Sequence, residues 1–267
     1  MLIVGERINS TRSKVQEAIK ARNTAYILKE VNSQLSGGAR FIDINCAMTS
    51  GDEVQEIDWL VSVIQSEVKD VSLCIDSPNH LAIERALKVY KAVGELMINS
   101  ITADEERIKS ILPLAKKYNA KLVALTMDEH GMPDDAVGRF ESAKKILARV
   151  EKDGFRPSDL YFDALIRPIS TEPKQAYEFL KSIPMIKSLG DVKTICGLSN
   201  VSFGLPNRRI INSSFLAMAM HAGLDAAILD PTDSFVVSSV KASEALLGND
   251  DYCAEYIKAF REGKLVA

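Results

Sequence analysis

Acids and amides recur near the carboxyl ends of short apolar runs in this chain: Glu6 and Asn9, Asp43 and Asn45, Asp76, Asn99, Asp163, Asn200 and, less sharply, Asp230. A polar group inside an apolar run is costly to bury unpaired. Its recurrence at one end of successive runs therefore reads as a shared site. Carboxylates accept hydrogen bonds, while amides both donate and accept. Such a set suits a heterocycle with an amidine or lactam edge better than a phosphorylated substrate, which calls for a glycine-rich loop at a helix N-terminus or an Arg/Lys cluster. The chain has neither a Walker loop nor a G-x-G-x-x-G. Arg7, Arg208 and Arg209 are the cations nearest these runs, placed either to meet a substrate carboxylate or to form ordinary ion pairs. Taken singly, Asp76 before Ser77-Pro78 and Asn99 before Ser100 also read as helix caps. Capping explains each residue separately but not a lysine-poor ring of them.

The apolar runs cover 2–9, 40–47, 72–77, 96–100, 121–127, 160–166, 193–200 and 226–231. Between them apolar residues fall at helical spacing, as in Val54, Ile57, Leu60, Val61 and Ile64. Eight strands alternating with about eight helices, at a mean period of roughly 32 residues, predict an α/β fold of the (β/α)8 TIM-barrel type over a doubly wound open sheet, which typically has fewer strands. The C-terminal strand ends of such a barrel converge on the face where active sites are built. Residues 1–267 read as a single barrel domain with an extra helix around 251–264. Ser36-Gly37-Gly38 is expected to end a long first helix with left-handed residues, and Thr102, ahead of Ala103, Asp104 and Glu105, to cap the helix after the fourth strand.

At 46% hydrophobic and 26% charged residues the composition is that of a globular protein, which removes disordered, collagen-like and disulfide-scaffold readings. Aromatics make up only 6%, so the core must be built mainly from Ile, Leu, Val, Ala and Met, as in a helix-covered parallel sheet. With 33 Lys and Arg against 36 Asp and Glu, the net charge of −3 offers no footprint for nucleic acid or an anionic membrane. No apolar run reaches the ~18 residues of a membrane span, and the N-terminus lacks the form of a secretory signal, so a cytoplasmic location is expected. Cys46, Cys74, Cys196 and Cys253 have no C-x-x-C spacing, and three lie in apolar stretches where a thiol acts as a small buried hydrophobe. His80, His130 and His221 stand far apart, so no intrinsic metal site is expected.

Seven stretches in chain order carry a family resemblance: LIVGERIN (2–9), GGARFIDIN (37–45), LCIDS (73–77), MINS (97–100), YFDAL (161–165), GLSNVSFGLPNR (197–208) and FLAMAMHAGLDAAILDP (215–231). They resemble the pterin-binding methyltransferases, that is, the methyltetrahydrofolate:corrinoid protein methyltransferases and the folate domain of cobalamin-dependent methionine synthase. This resemblance implies a dihydropteroate synthase-like barrel that moves a methyl group between N5 of 5-methyltetrahydrofolate and the cobalt of a corrinoid, in a direction it leaves open. Tetrahydrofolate or its methyl derivative is then a substrate. The corrinoid (cobalamin) is expected on a separate partner protein, because eight barrel units use nearly the whole length. Asp128-Glu129-His130 matches the start of the corrinoid-ligand motif D-x-H-x-x-G, but the sixth position is Pro133, which makes the match accidental. A homodimer is a further implication of the likeness.

Residue by residue, the resemblance implies that Asp76, Asn99 and Asp163 hydrogen-bond the pterin ring, that Gly197 and Ser199 lie against it, and that Asn200 contacts N5. Arg208 falls near the folate's outer portion. Phe203 joins the folate-binding set; the branch serving the corrinoid iron–sulfur protein often has Gln there, so SNVSFG is more similar to methionine synthase and the methyltransferases of demethylase systems. Asn200 and Asp76 are the catalytic candidates. A tertiary amine leaves poorly, so methyl transfer from N5 needs proton donation or hydrogen bonding that grows in the transition state. Asn200 cannot titrate but can orient to stabilise protonated N5. The proton is expected through solvent or a network that includes Asp76. The competing readings are a dihydropteroate synthase-like enzyme, whose diphosphate substrate would need a more basic mouth, and a non-catalytic folate-binding subunit of a corrinoid system.

Overall fold

All eight apolar runs are strands in the computed structural model, which describes residues 1–48 and 51–266. They are β1 (Leu2–Asn9), β2 (Phe41–Asn45), β3 (Ser72–Asp76), β4 (Leu96–Ile101), β5 (Lys121–Leu125), β6 (Leu160–Asp163), β7 (Lys193–Gly197) and β8 (Ala226–Leu229). Each pairs in parallel with the next, and β8 pairs with β1 to close the barrel. Outside it run α1 (Ser13–Lys20), α2 (Thr24–Ser36), α3 (Glu53–Glu67), α4 (His80–Val89), α5 (Glu105–Lys117), α6 (Ala136–Lys152), α7 (Gln175–Lys187), α8 (Arg208–Ala222), α9 (Ser234–Leu246) and α10 (Ala254–Arg261). The expected helix around 251–264 is α10, preceded by a single 3₁₀ turn at Asp251–Cys253.

The core divides by strand face, as a period of two requires. Outward-facing residues such as Ile42, Ile44, Leu73, Ile75, Ile98 and Leu122 join the buried faces of the helices in one aliphatic layer. Inward-facing Val4, Phe41, Cys74, Met97, Val123, Tyr161, Ile195 and Ala226, one from each strand, fill the barrel. Cys46, Cys74 and Cys196 are buried and Cys253 is exposed.

Three details of helix punctuation differ from the sequence reading. The first helix is not one long element but α1 and α2, because the chain turns at Ala21–Asn23: Arg22 takes a left-handed φ of 51° and the Asn23 side chain accepts the Tyr26 N–H at 3.1 Å. At its end Gly37 is right-handed, and only Gly38, at φ 98°, is left-handed. Thr102 does not cap α5; Asp104 does, accepting the Arg107 N–H at 2.7 Å, while Thr102 Oγ1 accepts the Asp104 N–H at 3.2 Å. Likewise α4 is capped by Asn79, which accepts the Leu81 N–H at 3.0 Å. Asp76 and Asn99 therefore cap nothing, and the competing explanation for their place at strand ends falls away.

Candidate active site

One side-chain step beyond the apolar plug, the inward positions change character. Adding two to each plug residue gives Glu6, Asp43, Asp76, Asn99, Leu125, Asp163, Gly197 and Ile228. Five of these eight are the acids and amides of the sequence pattern, so the pleat alone turns strand-end residues into a ring around one mouth. Register supports this: Asn45 pairs with Asp76 and Asp76 with Asn99, which sets the three in one row across β2, β3 and β4. Asn45 Nδ2 donates to Asp76 Oδ2 at 2.7 Å. The side chains of Asn99 and Asn200 make no hydrogen bond among the described residues.

The ring is short of positive charge, and its acids respond. Burial pushes the Asp76 carboxyl up to about 6, with Glu53 adding to the rise and the Asn45 amide and Arg107 opposing it. Asp163 is also pushed up to about 6 by burial, against the pull of the Leu165 and Gly197 N–H groups and the Arg139 guanidinium. Leu165, held at φ 56°, donates its N–H to Asp163 Oδ1 at 2.7 Å. Asp43 is driven well above the usual carboxylate range by burial and by the neighbouring charges of Asp76 and Glu6, and its Oδ1 finds no partner among the described residues. Burial raises Glu6 as well, although it accepts the Ser199 hydroxyl proton at 2.8 Å. Desolvation is thus the leading cause at all four acids, as expected where carboxyl groups crowd inside a barrel and the nearest cations lie outside the ring.

The turn after β7 brings in the remaining residues. A 3₁₀ segment, Leu198–Asn200, leaves Ser199 half-buried and Asn200 exposed at the mouth. A Cβ at Gly197 would lie 3.1 Å from Asn200 Nδ2, so any side chain there would have to push the Asn200 amide aside. Asn207 adopts the left-handed region at φ 48°, tolerated by an Asn. Arg208 then reaches back, donating from Nε to Ser202 Oγ at 3.0 Å and from Nη2 to the Ser199 carbonyl at 2.5 Å. Phe203 is 65% exposed, its N–H bonded to the Asn200 carbonyl at 3.2 Å and its own carbonyl accepting from Ser170 Oγ at 2.8 Å. The turn is therefore tied down while the Phe203 ring stands free at the rim. A cavity of about 190 Å³, bordered by Glu6, Ser199, Arg208, Asn212 and Asp230, opens on this side of the mouth.

Asp76, Asn99, Asp163, Gly197, Ser199, Asn200 and Phe203 fall on the strand ends or the following turn of this one mouth, and Arg208 opens α8 just beyond that turn. The three arginines separate. Arg7 pairs with Glu30 at 2.5 Å and Asp230 at 2.6 Å, and Arg209 with Asp233 at 2.9 Å, so both are ordinary ion pairs. Arg208 has no carboxylate partner among the described residues. Asp128 accepts the His130 N–H at 2.9 Å within a tight turn, a local role for the fragment that mimics a corrinoid-ligand motif. Among the described residues no group of three or more His, Cys, Asp or Glu side chains is placed to hold a metal ion.

Two arginines escaped the sequence reading. Arg107 donates to the carbonyls of Ser77, Pro78 and Ser100, immediately after Asp76 and Asn99. Arg139 is fully buried beside the loop after β5, bonded to Gln175, and acts on Asp163 by its charge. Both lie on helices, in polar patterns that read as solvated faces, and carried no sequence signal. Glu6 and Asp43 were visible as strand-end acids, but nothing in the resemblance assigned them to the pterin.

A sequence profile of the family described as pterin binding enzyme matches residues 5–230. Over 269 aligned residues the chain is 33% identical to a methylcorrinoid:tetrahydrofolate methyltransferase of Eubacterium limosum, covering 99% of this chain and 98% of that one. It is 29% identical over 243 residues to methionine synthase of Mycobacterium tuberculosis, where the match takes in 86% of this chain but 20% of the synthase. Among solved structures, dihydropteroate synthase of Yersinia pestis superposes with a TM-score of 0.67 at 16% identity, covering 92% of this chain and 93% of the synthase, a likeness of fold alone.

Proposed function

The chain belongs to the pterin-binding enzymes, and from that membership we propose that it is a methyltransferase working between a corrinoid and tetrahydrofolate at the barrel mouth. The observation that carries this reading is the meeting of Asp76, Asn99, Asp163 and Asn200 at one mouth of a pterin-family barrel. Whole-length likeness to an enzyme named for transfer from methylcorrinoid to tetrahydrofolate favours that direction. Both folate and corrinoid are substrates here, the corrinoid arriving on a separate protein.

In this direction the N5 lone pair attacks the methyl carbon. The new N5–carbon bond forms as the carbon–cobalt bond breaks, the cobalt keeps the bonding electrons as Co(I), and N5 gives up its proton. This chain's residues do three things. Asp76, Asn99 and Asp163 take the ring's donor and acceptor edge: ionised carboxylates accept from ring N–H groups, and the Asn99 amide serves either polarity. Gly197 and Ser199 form the surface against which the ring lies, and Arg208 meets the folate's outer portion. Asn200 orients N5, accepting its N–H before transfer or donating to the lone pair in the reverse reaction. A carboxyl whose proton affinity sits near neutrality exchanges protons readily at working pH. Asp76 in the ring, and Glu6 through its hydrogen bond to Ser199 beside Asn200, are acids that meet that requirement in direction.

Phe203, exposed beside Asn200, lies at the folate's edge where the corrinoid must approach. On the family likeness the enzyme is a single-domain, cytoplasmic homodimer, which light scattering of the purified protein and fractionation of cells would check. Mixing it with methylcob(III)alamin and tetrahydrofolate tests the activity: we expect conversion to cob(I)alamin, followed by its absorbance, with methyltetrahydrofolate formed in equal amount. No turnover in either direction by folded protein would overturn the reading.

A further inference from the structure

We propose that Arg107 is a positioning residue of the pterin site, setting the spacing of Asp76 and Asn99 from outside the barrel and supplying, alone among the described residues, a positive charge that faces Asp76. The proposal rests on the pterin reading of the mouth. Arg107 sits in the first turn of α5, where its backbone N–H is held by the Asp104 cap at 2.7 Å. Its guanidinium then spans two loops. Nη2 donates to the Ser77 carbonyl at 2.7 Å, Nη1 to the Pro78 carbonyl at 2.7 Å and Nε to the Ser100 carbonyl at 2.8 Å. Ser77 follows Asp76 and Ser100 follows Asn99, so one rigid fork grips the residue after each ring member. The two strand ends are also joined directly, the Ser77 N–H donating to the Asn99 carbonyl at 3.1 Å.

The choice of partners is unusual for an arginine. Asp104, Glu105 and Glu106 are its neighbours in sequence, yet no carboxylate among the described residues lies within ion-pair distance of Arg107. Its charge is spent on carbonyl dipoles and is left uncompensated close to Asp76. Planar geometry with donors at fixed angles suits three acceptors on two loops; a lysine ammonium could not hold all three in place. The groups around Asp76 show why the charge is needed. Asp43 and Cys74 lie below it, Glu53 of α3 adds a second negative charge while accepting from Ser77 Oγ at 2.6 Å, and Asn45 offers a neutral donor. Among the described residues Arg107 alone opposes burial with positive charge, and it is itself depressed by desolvation, as a partly buried unpaired guanidinium should be.

Two substitutions separate geometry from charge. In Arg107→Met both are lost; in Arg107→Lys the charge stays and the fork goes. Affinity for 5-methyltetrahydrofolate is measured by titration calorimetry from pH 5 to 8, with thermal unfolding alongside. Wild-type affinity should fall as pH drops through about 6, where Asp76 gains its proton. Asp163 titrates in the same range and is common to all three proteins, so a difference between them reports on Asp76. Arg107→Met should bind about tenfold more weakly at pH 7, the scale of a lost charge-assisted hydrogen bond, with the midpoint of its pH profile moved upward. Arg107→Lys should also bind more weakly but keep the wild-type midpoint. Wild-type affinity and midpoint in Arg107→Met, even with a lowered unfolding temperature, would overturn the proposal. Should that variant not fold, Arg107→Lys decides: weaker binding at an unmoved midpoint supports the proposal, and unchanged binding overturns it. If the wild-type protein binds no folate at all, the functional reading itself fails, and this proposal with it.

Discussion

The plug inside the barrel and the ring at its mouth are built by the same eight strands, one side-chain step apart. In the plug, Val4, Phe41, Cys74, Met97, Val123, Ile195 and Ala226 are wholly buried and Tyr161 nearly so. They are apolar or weakly polar and complete one another. In the ring, acids crowd with no cation among them, Arg107 and Arg139 acting only from outside it, and two of the acids are pushed up to about 6; the amides of Asn99 in the ring and Asn200 above it stand unpaired among the described residues. Such a layer is poor for stability, since every buried carboxyl resists ionising. It makes sense as a surface waiting for a partner whose polar edge completes it, with the plug beneath carrying the stability that the ring gives up.

Substitutions in the two layers should therefore have effects of different kind. Phe41→Ala, at the centre of the plug, should lower the unfolding free energy by about 3–5 kcal/mol in a denaturant titration; a loss below about 1 kcal/mol would show that the plug is not where stability is held. Above the ring, Asn200→Ala should slow single-turnover methyl transfer roughly 10²–10³-fold, the scale for removing one transition-state hydrogen bond, while folate affinity changes far less. Equal losses in rate and affinity would reduce Asn200 to a binding residue. Asp43→Asn should do least. Burial and the charges of Asp76 and Glu6 hold its carboxyl well above the usual range, which favours the neutral form that an amide resembles. Folate affinity at pH 7 should stay within about twofold, and a larger loss would show that Asp43 works as a carboxylate.

The ring was legible before the fold was known because its residues sit in apolar runs, where a polar side chain stands out. The eight strands were legible for the same reason, β-branched and aliphatic runs bounded by polar helices. What escaped was written in backbone atoms. The break between α1 and α2 uses neither Gly nor Pro but a left-handed Arg22 and the Asn23 cap, and a non-glycine at positive φ leaves no mark in sequence. Asp104, not Thr102, caps α5, a shift of two residues within a stretch where either side chain would serve. Arg107 binds three carbonyl groups, and since every residue has a carbonyl, no spacing of side-chain types announces that contact. Phe203 was expected among the folate contacts from the resemblance, and its ring stands exposed at the rim beyond Asn200.

Asp163→Asn tests the account most directly, through stability and folate affinity measured on the same protein at pH 8. The Asp163 carboxyl rises from its ordinary 3.8 to about 6 on folding. It therefore favours the folded state fully below about pH 4, and that contribution is lost as pH rises through about 6. By pH 8 the buried charge opposes folding by about 2–3 kcal/mol, from roughly two units at 1.4 kcal/mol each. The amide escapes this penalty and can still accept the Leu165 N–H. The account predicts that Asp163→Asn unfolds at a higher temperature than wild type at pH 8, loses the advantage below pH 4, and binds methyltetrahydrofolate more weakly. A variant that is less stable at pH 8 yet binds folate as wild type does would contradict it, because Asp163 would then be part of the scaffold and not of the site.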